Sequence, residues 1–360
     1  MPSNEAGPTP ASDAPALLEL DNASQVFRVK GVDLPAVSEV SLSLEAGEVV
    51  CLVGESGSGK TTAARLAAGL APPTSGSVRF EGVDLATMSR SARREYRRAV
   101  QYIHQDPYAS LNPIRSIQST LAIPLRRHGL AHNRQEVVDK VDELLTRVDL
   151  TPPSSYRSKF PHQMSGGQRQ RVSVARSLTL SPRVLIADES TSMLDVSIRV
   201  GLLNMLTRLR KESDVAFIFI THDLALAKYF AWEGRTAVMY LGRVVEIGPT
   251  PQVINNPQHP YTKALLEAVP EPDPELARQK QAGGGLLSAE IPSLADLPTG
   301  CTFHPRCPLA EPRCSEVRPA LARSPRARTE AVHDVSCMVV TDPRPDRSTP
   351  TPATTGGGSP

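Results

Sequence analysis

Glu48-Val49-Val50-Cys51-Leu52-Val53 is a nearly unbroken apolar run, and it passes directly into Gly54-Glu55-Ser56-Gly57-Ser58-Gly59-Lys60-Thr61. Residues 61–70, with Thr62 among them, then take on helical character. A short apolar run of this kind predicts a buried strand over 48–53, then a glycine loop, then a helix. That order restricts the chain to layered folds in which a strand end and a helix start meet at one point. The glycines let backbone N–H groups turn inward, where they can wrap phosphate oxygens. A helix starting near Gly59 aims its positive dipole end at the same anion. Lys60 can supply a cation to β- and γ-phosphates, and Thr61 a hydroxyl ligand to Mg²⁺. The plain alternative is a glycine turn between strand and helix.

A second apolar run, Val184-Leu185-Ile186-Ala187, ends in Asp188-Glu189. A buried strand has no packing use for two adjacent acids, because unpaired charge is costly there. Asp188 can hold Mg²⁺, and Glu189 can polarise a water that attacks the γ-phosphate. A turn or helix cap could use the same pair, so the reading gains its force from the phosphate loop.

The rest of the chain supports an α/β reading. Segments 18–20, 26–29 and 40–44 alternate apolar and polar residues and predict strands of an added antiparallel sheet. Apolar spacing predicts helices over 134–149, 166–180 and 196–211. Segment 215–220 reads as a strand ending at Thr221-His222-Asp223, and 236–240 with 243–247 as a hairpin turning at Gly242. The Arg-rich stretch 89–99 reads as a solvated helix face. Strands alternating with helices imply a mainly parallel sheet.

Residues 1–16 and 341–360 are expected to be disordered, because they offer little to bury. Composition changes near residue 256, where Pro becomes frequent, and this divides a 17–255 domain from a smaller irregular region over 256–340. Net charge is +2, which gives no reason to expect nucleic acid as a partner. No apolar run of about 18 residues occurs, and the N-terminus lacks the pattern of a signal peptide. The chain is therefore expected to stay in the cytoplasm.

Of five cysteines, Cys51 sits in the apolar run and reads as a core thiol. Cys301, Cys307, Cys314 and Cys337 cluster late with spacing C-x5-C-x6-C-x22-C. Four thiolates suit tetrahedral Zn²⁺ or an iron–sulfur cluster, although the spacing fits neither common pattern. His304 is a weaker ligand candidate. Four reduced thiols in an irregular domain are the bland alternative.

The order of these motifs resembles the ATP-binding cassette (ABC) ATPases over roughly 17–255. The resemblance is carried by the phosphate loop, Gln105, Ser165-Gly166-Gly167-Gln168 after Met164, Asp188-Glu189, Asp195 and His222. It implies a P-loop ABC ATPase fold with a parallel core sheet, an antiparallel β subdomain and a helical subdomain, binding ATP and Mg²⁺. By this resemblance Gln105 contacts Mg²⁺ and water and senses a membrane partner. Ser165 to Gln168 form the signature that meets the ATP of a second ATPase subunit, and Ser192 to Asp195 couple the two sites. His222 contacts the γ-phosphate; a capping or core histidine is the alternative. Phe27 is the candidate to stack on adenine, or else a core residue. Ser190 stands where the family commonly has Pro, and Met193 where it has Ala.

Residues 256–266 and 300–308, with 107–113, resemble the ATPases of oligopeptide, dipeptide and nickel permeases. This implies an importer subunit working with two transmembrane permeases and an extracytoplasmic peptide-binding protein, at the cytoplasmic face of the membrane. It also implies a [4Fe–4S] cluster at the four late cysteines. Uptake of nickel or another small solute is the rival cargo. A soluble ABC ATPase acting on ribosomes or DNA is the rival class.

Overall fold

A computed structural model describes residues 15–189, 195–268, 285–325 and 332–342. Of the segments 1–16 and 341–360 expected to be disordered, 1–14 and 343–360 fall outside the described residues, as does the coupling segment Ser192 to Leu194, while Thr341 ends a short helix.

Two sheets form the framework. Strands β1 (Leu18–Val29), β2 (Val32–Leu44), β4 (Ser75–Phe80) and β5 (Val83–Asp84) make an antiparallel sheet ordered β2-β1-β4-β5. Eight strands make the main sheet, ordered β11-β12-β10-β9-β3-β8-β7-β6. They are β3 (Val49–Val53), β6 (Val100–Ile103), β7 (Val184–Asp188), β8 (Ala216–Thr221), β9 (Arg235–Tyr240), β10 (Arg243–Pro249), β11 (Ala322–Arg323) and β12 (Asp334–Val335). The five from β9 to β6 are parallel, and β10 and β12 extend the sheet antiparallel.

The parallel strands read as apolar runs because both faces are covered. In β3, Val49, Cys51 and Val53 enter one core, while Val50 and Leu52 enter the other. The second core lies between the two sheets and holds α1 (Lys60–Ala67) and α2 (Arg90–Ala99). Leu111, just after α3 (Pro107–Ser110), enters the first core, which is built with α4 (Ile117–Arg127), α5 (Arg134–Arg147), α6 (Ser154–Arg157), α7 (Gly166–Leu178), α8 (Val196–Ser213) and α9 (Leu224–Phe230). Val137, Val141, Leu144 and Leu145 of α5 are buried at the forecast helical spacing. Ser116 and Asn133 cap α4 and α5 with their side chains. Helix α2 is mostly exposed, as a solvated Arg-rich face should be, and only Tyr96 and Ala99 are buried.

Helix α10 (Thr250–Asn255) ends at the boundary, and the region after 255 contains α11 (Pro260–Glu267), α12 (Pro312–Glu316) and α13 (Met338–Thr341). It is less separate than its composition implies. Its strand β12 pairs with β10 of the main sheet, and Tyr261, Phe303 and Cys307 share a core with Val238, Tyr240 and Val245.

Register fixes the site. Val53 lies opposite Thr221, and Asp188 opposite Ile220. The C-terminal ends of β3, β8 and β7 therefore stop together, with Gly54, His222 and Glu189 following at one edge. Open α/β sheets place ligands at this edge.

Candidate nucleotide site

The phosphate loop begins where β3 ends. Gly54 and Gly59 have no room for a side chain: a Cβ would strike the Met239 carbonyl at the first and the Ala36 carbonyl at the second. Gly59 caps α1 with φ +99°, a region that favours glycine. Ser56 and Gly57 are exposed at the loop's rim, while Ser58 and Lys60 are buried. Lys60 Nζ donates to the carbonyls of Gly54 and Glu55, both at 2.8 Å, and to Ser58 Oγ at 3.3 Å. Burial pushes the Lys60 ammonium below the usual lysine pKa, and the carboxylates of Glu189, Asp188 and Glu55 pull it back. Thr62 is half-buried one residue behind Thr61 in α1.

Thr61 Oγ1 donates to Asp188 Oδ1 at 3.0 Å. A hydroxyl and a carboxylate meeting at the loop are hard oxygen donors and fit Mg²⁺. Asp188 is 3% exposed, and its other oxygen accepts from the Tyr102 hydroxyl at 2.6 Å. Tyr102 was not among the forecast site residues, because a tyrosine in a short strand reads as core.

Glu189 gathers the remaining candidates. Gln105 Nε2 donates to Glu189 Oε2 at 3.0 Å, and His222 Nδ1 lies 3.5 Å from Oε1. Glu189 sits in the left-handed region, φ +40°, which is uncommon for a residue with a side chain and typical of functional sites. His222 is half exposed, at 56% of its side chain, so it is not the core histidine of the plain alternative.

Ser165 is the N-cap of α7. Its hydroxyl accepts from the Gln168 N–H at 3.3 Å, and Gln168 Oε1 accepts from the Ser165 N–H at 3.1 Å. This reciprocal capping box fixes the turn that presents Gly166 and Gly167 at a helix N-terminus. Gly167 packs tightly on Ile198 of α8. Met164 is buried in the core just ahead of this turn and adds no polar group there. Asp195 stands exposed at the N-cap of α8. Phe27 is 42% exposed on β1, which leaves its ring available for stacking.

Two contacts reach the loop from the C-terminal region. Arg306 forms a two-pronged ion pair with Glu55, at 2.8 and 3.0 Å, and the Glu55 N–H donates to Tyr261 Oη at 2.8 Å. Nothing in sequence spacing joins positions so far apart.

Cys51 is buried and free, and burial pushes its thiol up. Cys301, Cys307, Cys314 and Cys337 line one pocket together with His304 and His259. Burial pushes the Cys301 and Cys307 thiols up to about 11 and raises that of Cys337. His304 Nδ1 faces the Cys301 carbonyl at 2.9 Å. The pocket measures only about 10 Å³, space for about one water. No group of three or more His, Cys, Asp or Glu among the described residues is arranged to hold a metal ion. The four late cysteines thus face one small pocket as free thiols.

A phosphate loop on a central strand, an Asp-Glu strand end, a histidine one strand away and a glycine signature on a helix cap define an ABC ATPase. Residues 37–192 match the ABC transporter family, and 245–314 match the oligopeptide/dipeptide transporter C-terminal region. The oligopeptide transport ATP-binding protein OppF of Salmonella typhimurium is 44% identical over 329 residues, covering 91% of this chain and 95% of that protein. A probable peptide ABC transporter ATP-binding protein of Sinorhizobium fredii is 45% identical, covering 88% and 90%. A dimeric post-hydrolysis structure of the ATP-binding cassette MJ0796 bound to ADP and Pi has a TM-score of 0.57 at 26% identity, covering 63% of this chain and 96% of that one. The chain belongs to the family of oligopeptide transport ATP-binding proteins of ABC transporters.

Proposed function

We propose that this chain hydrolyses ATP to drive import of oligopeptides or dipeptides through two transmembrane permease subunits. The observation that carries the ATPase reading is the convergence of Gln105 and His222 on Glu189, beside the loop that holds Lys60. The peptide cargo rests on similarity along nearly the whole chain to oligopeptide transport proteins. That similarity favours peptides over nickel or another small solute.

In this reading the backbone N–H groups of Gly57 to Thr61 and the Lys60 ammonium bind the phosphates. Thr61, Asp188 and Gln105 would hold Mg²⁺, which supplies charge neutralisation between the phosphates. Glu189 accepts the proton of the attacking water, and His222 orients the γ-phosphate side of the site. Phe27 stacks on the adenine. Ser165 to Gln168 and Asp195 serve a second ATPase subunit, a copy or a paralogue, in a head-to-tail pair. Among the described residues no helix is long and apolar enough to cross a membrane. We place the chain peripherally at the cytoplasmic face, held by its permeases, with an extracytoplasmic peptide-binding protein opposite. The working division is an ATPase domain over 17–255 and an extension over 256–340.

The test is uptake of labelled di- and oligopeptides by vesicles carrying the complete transporter. ATP-dependent peptide uptake is expected; nickel uptake without peptide uptake would overturn the cargo. A [4Fe–4S] cluster on Cys301, Cys307, Cys314 and Cys337 is the finer reading, supported by their facing one pocket. Iron and sulfide analysis of anaerobically purified protein tests it, and protein free of both would refute it.

A further inference from the structure

Glu55 is the second residue of the phosphate loop, and its polar groups are committed to named partners. Its N–H donates to Tyr261 Oη, and its carbonyl accepts from Lys60 Nζ. Its carboxylate takes both terminal nitrogens of Arg306. Arg306 is 3% exposed and lies over the rings of Tyr240 and Phe303, at 5.7 and 5.9 Å. Tyr240, Tyr261 and Phe303 pack on one another with centroids 4.7 to 5.4 Å apart. Arg306 Nε also donates to the Ser288 carbonyl at 3.3 Å. The guanidinium is thus fixed from several sides, and a bidentate pair of this kind sets direction as well as charge.

The position of that charge matters. A carboxylate in a loop that must receive a polyphosphate repels its ligand unless it is neutralised and turned away. Glu55 is close enough to Lys60 for its charge to act on the ammonium. Arg306 supplies the opposing charge, and it does so from the C-terminal region, in the turn between Cys301 and Cys307. Tyr261 holds the backbone of the same residue from the start of α11.

We propose that Arg306 and Tyr261 are positioning residues for the phosphate loop: they neutralise and hold Glu55, so the ATP affinity of this chain depends on its C-terminal region. The proposal rests on the reading that this loop binds ATP. The full-length protein is titrated with Mg-ATP by calorimetry, and the assembled transporter supplies KM and kcat. R306M should raise Kd and KM about tenfold or more while kcat stays within about twofold, the pattern of lost binding rather than lost chemistry. E55Q/R306M should recover much of that loss, because the uncompensated carboxylate is gone. A merely structural Arg306 would give no such recovery. Y261F keeps the ring and removes only the acceptor, so it should fold normally and raise KM about fivefold. Wild-type affinity in R306M, a double variant no better than R306M, or wild-type KM in Y261F would each overturn the proposal. Failure of the wild-type chain to bind Mg-ATP would instead sink the ATPase reading beneath it.

Discussion

Glu189 occupies a backbone region that few side-chain-bearing residues adopt, and it faces both Gln105 and His222. That cost in backbone energy is understandable if the carboxylate must point at a water rather than along the strand. E189Q keeps the shape and removes the base. Turnover should fall by about 10²-fold or more, since a positioned base contributes on that order, while Mg-ATP still binds. Phosphate release by the assembled transporter measures it, and near-normal turnover would rule Glu189 out as the base. Tyr102 makes a quieter contribution. Its hydroxyl satisfies the Asp188 oxygen that Thr61 leaves open. Y102F leaves a buried carboxylate oxygen unpaired, an effect of about 1–3 kcal/mol. The Mg²⁺ concentration for half-maximal ATPase should rise about tenfold, and an unchanged Mg²⁺ titration would remove Tyr102 from the site. Asp188 and Glu189 were legible in the sequence because two acids ending an apolar strand have no packing role. Tyr102 was not, because its function lies in one O–H bond made across the sheet.

Elements with a strong local signal were read closely, and those formed by tertiary contacts were not. The helix forecast over 134–149 is observed as α5, and the hairpin at Gly242 as β9 and β10. Strands β4 and β5 have only a weak local signal, since β4 is set by its pairing with β1 and the two-residue β5 by its pairing with β4. Helix α4 carries Pro124, which masks its apolar spacing. Helix α11 exposes a different dependence. His259 is its N-cap, and Nδ1 accepts from the Tyr261 N–H at 3.0 Å. The ring also hydrogen-bonds the backbone of Ser336, so it ties α11 to the stretch after β12. Burial depresses its pKa to about 4, against the pull of Glu246. The folded ring thus stays neutral where the unfolded one already binds a proton. Stability should therefore be full above about pH 6.5 and fall as pH drops toward 4, by up to about 3 kcal/mol. Thermal unfolding across that range measures it. H259N, which can cap without titrating, should flatten the slope; an equal slope in both proteins would exclude His259 as the cause.

At the scale of the molecule, the change in composition near 256 coincides with no break in the sheet. Glu246 of β10 is fully buried, and its carboxylate accepts from the N–H groups of Gln258 and His259 and meets His333 Nε2 at 2.8 Å. All three partners lie beyond residue 255. Sequence reading could not find this seam, because a lone glutamate in a hairpin strand looks like a solvent-facing residue. Its partners sit up to 87 positions away. A chain ending at Asn255 would strip cover from Val238, Tyr240, Leu241 and Val245 and leave Glu246 without its partners. It would also expose the edge of β10, where β12 now pairs. An unpaired strand edge beside apolar side chains is a site of self-association. The truncated protein should therefore be poorly soluble or aggregated by size-exclusion chromatography. Adding E246A to the truncation should relieve only the part due to the unpaired carboxylate. A monodisperse truncated protein that binds Mg-ATP like the full chain would show that 17–255 stands alone. It would also mean that the contacts from Arg306 and Tyr261 to Glu55 are dispensable, so this experiment bears on the architecture and on the loop together.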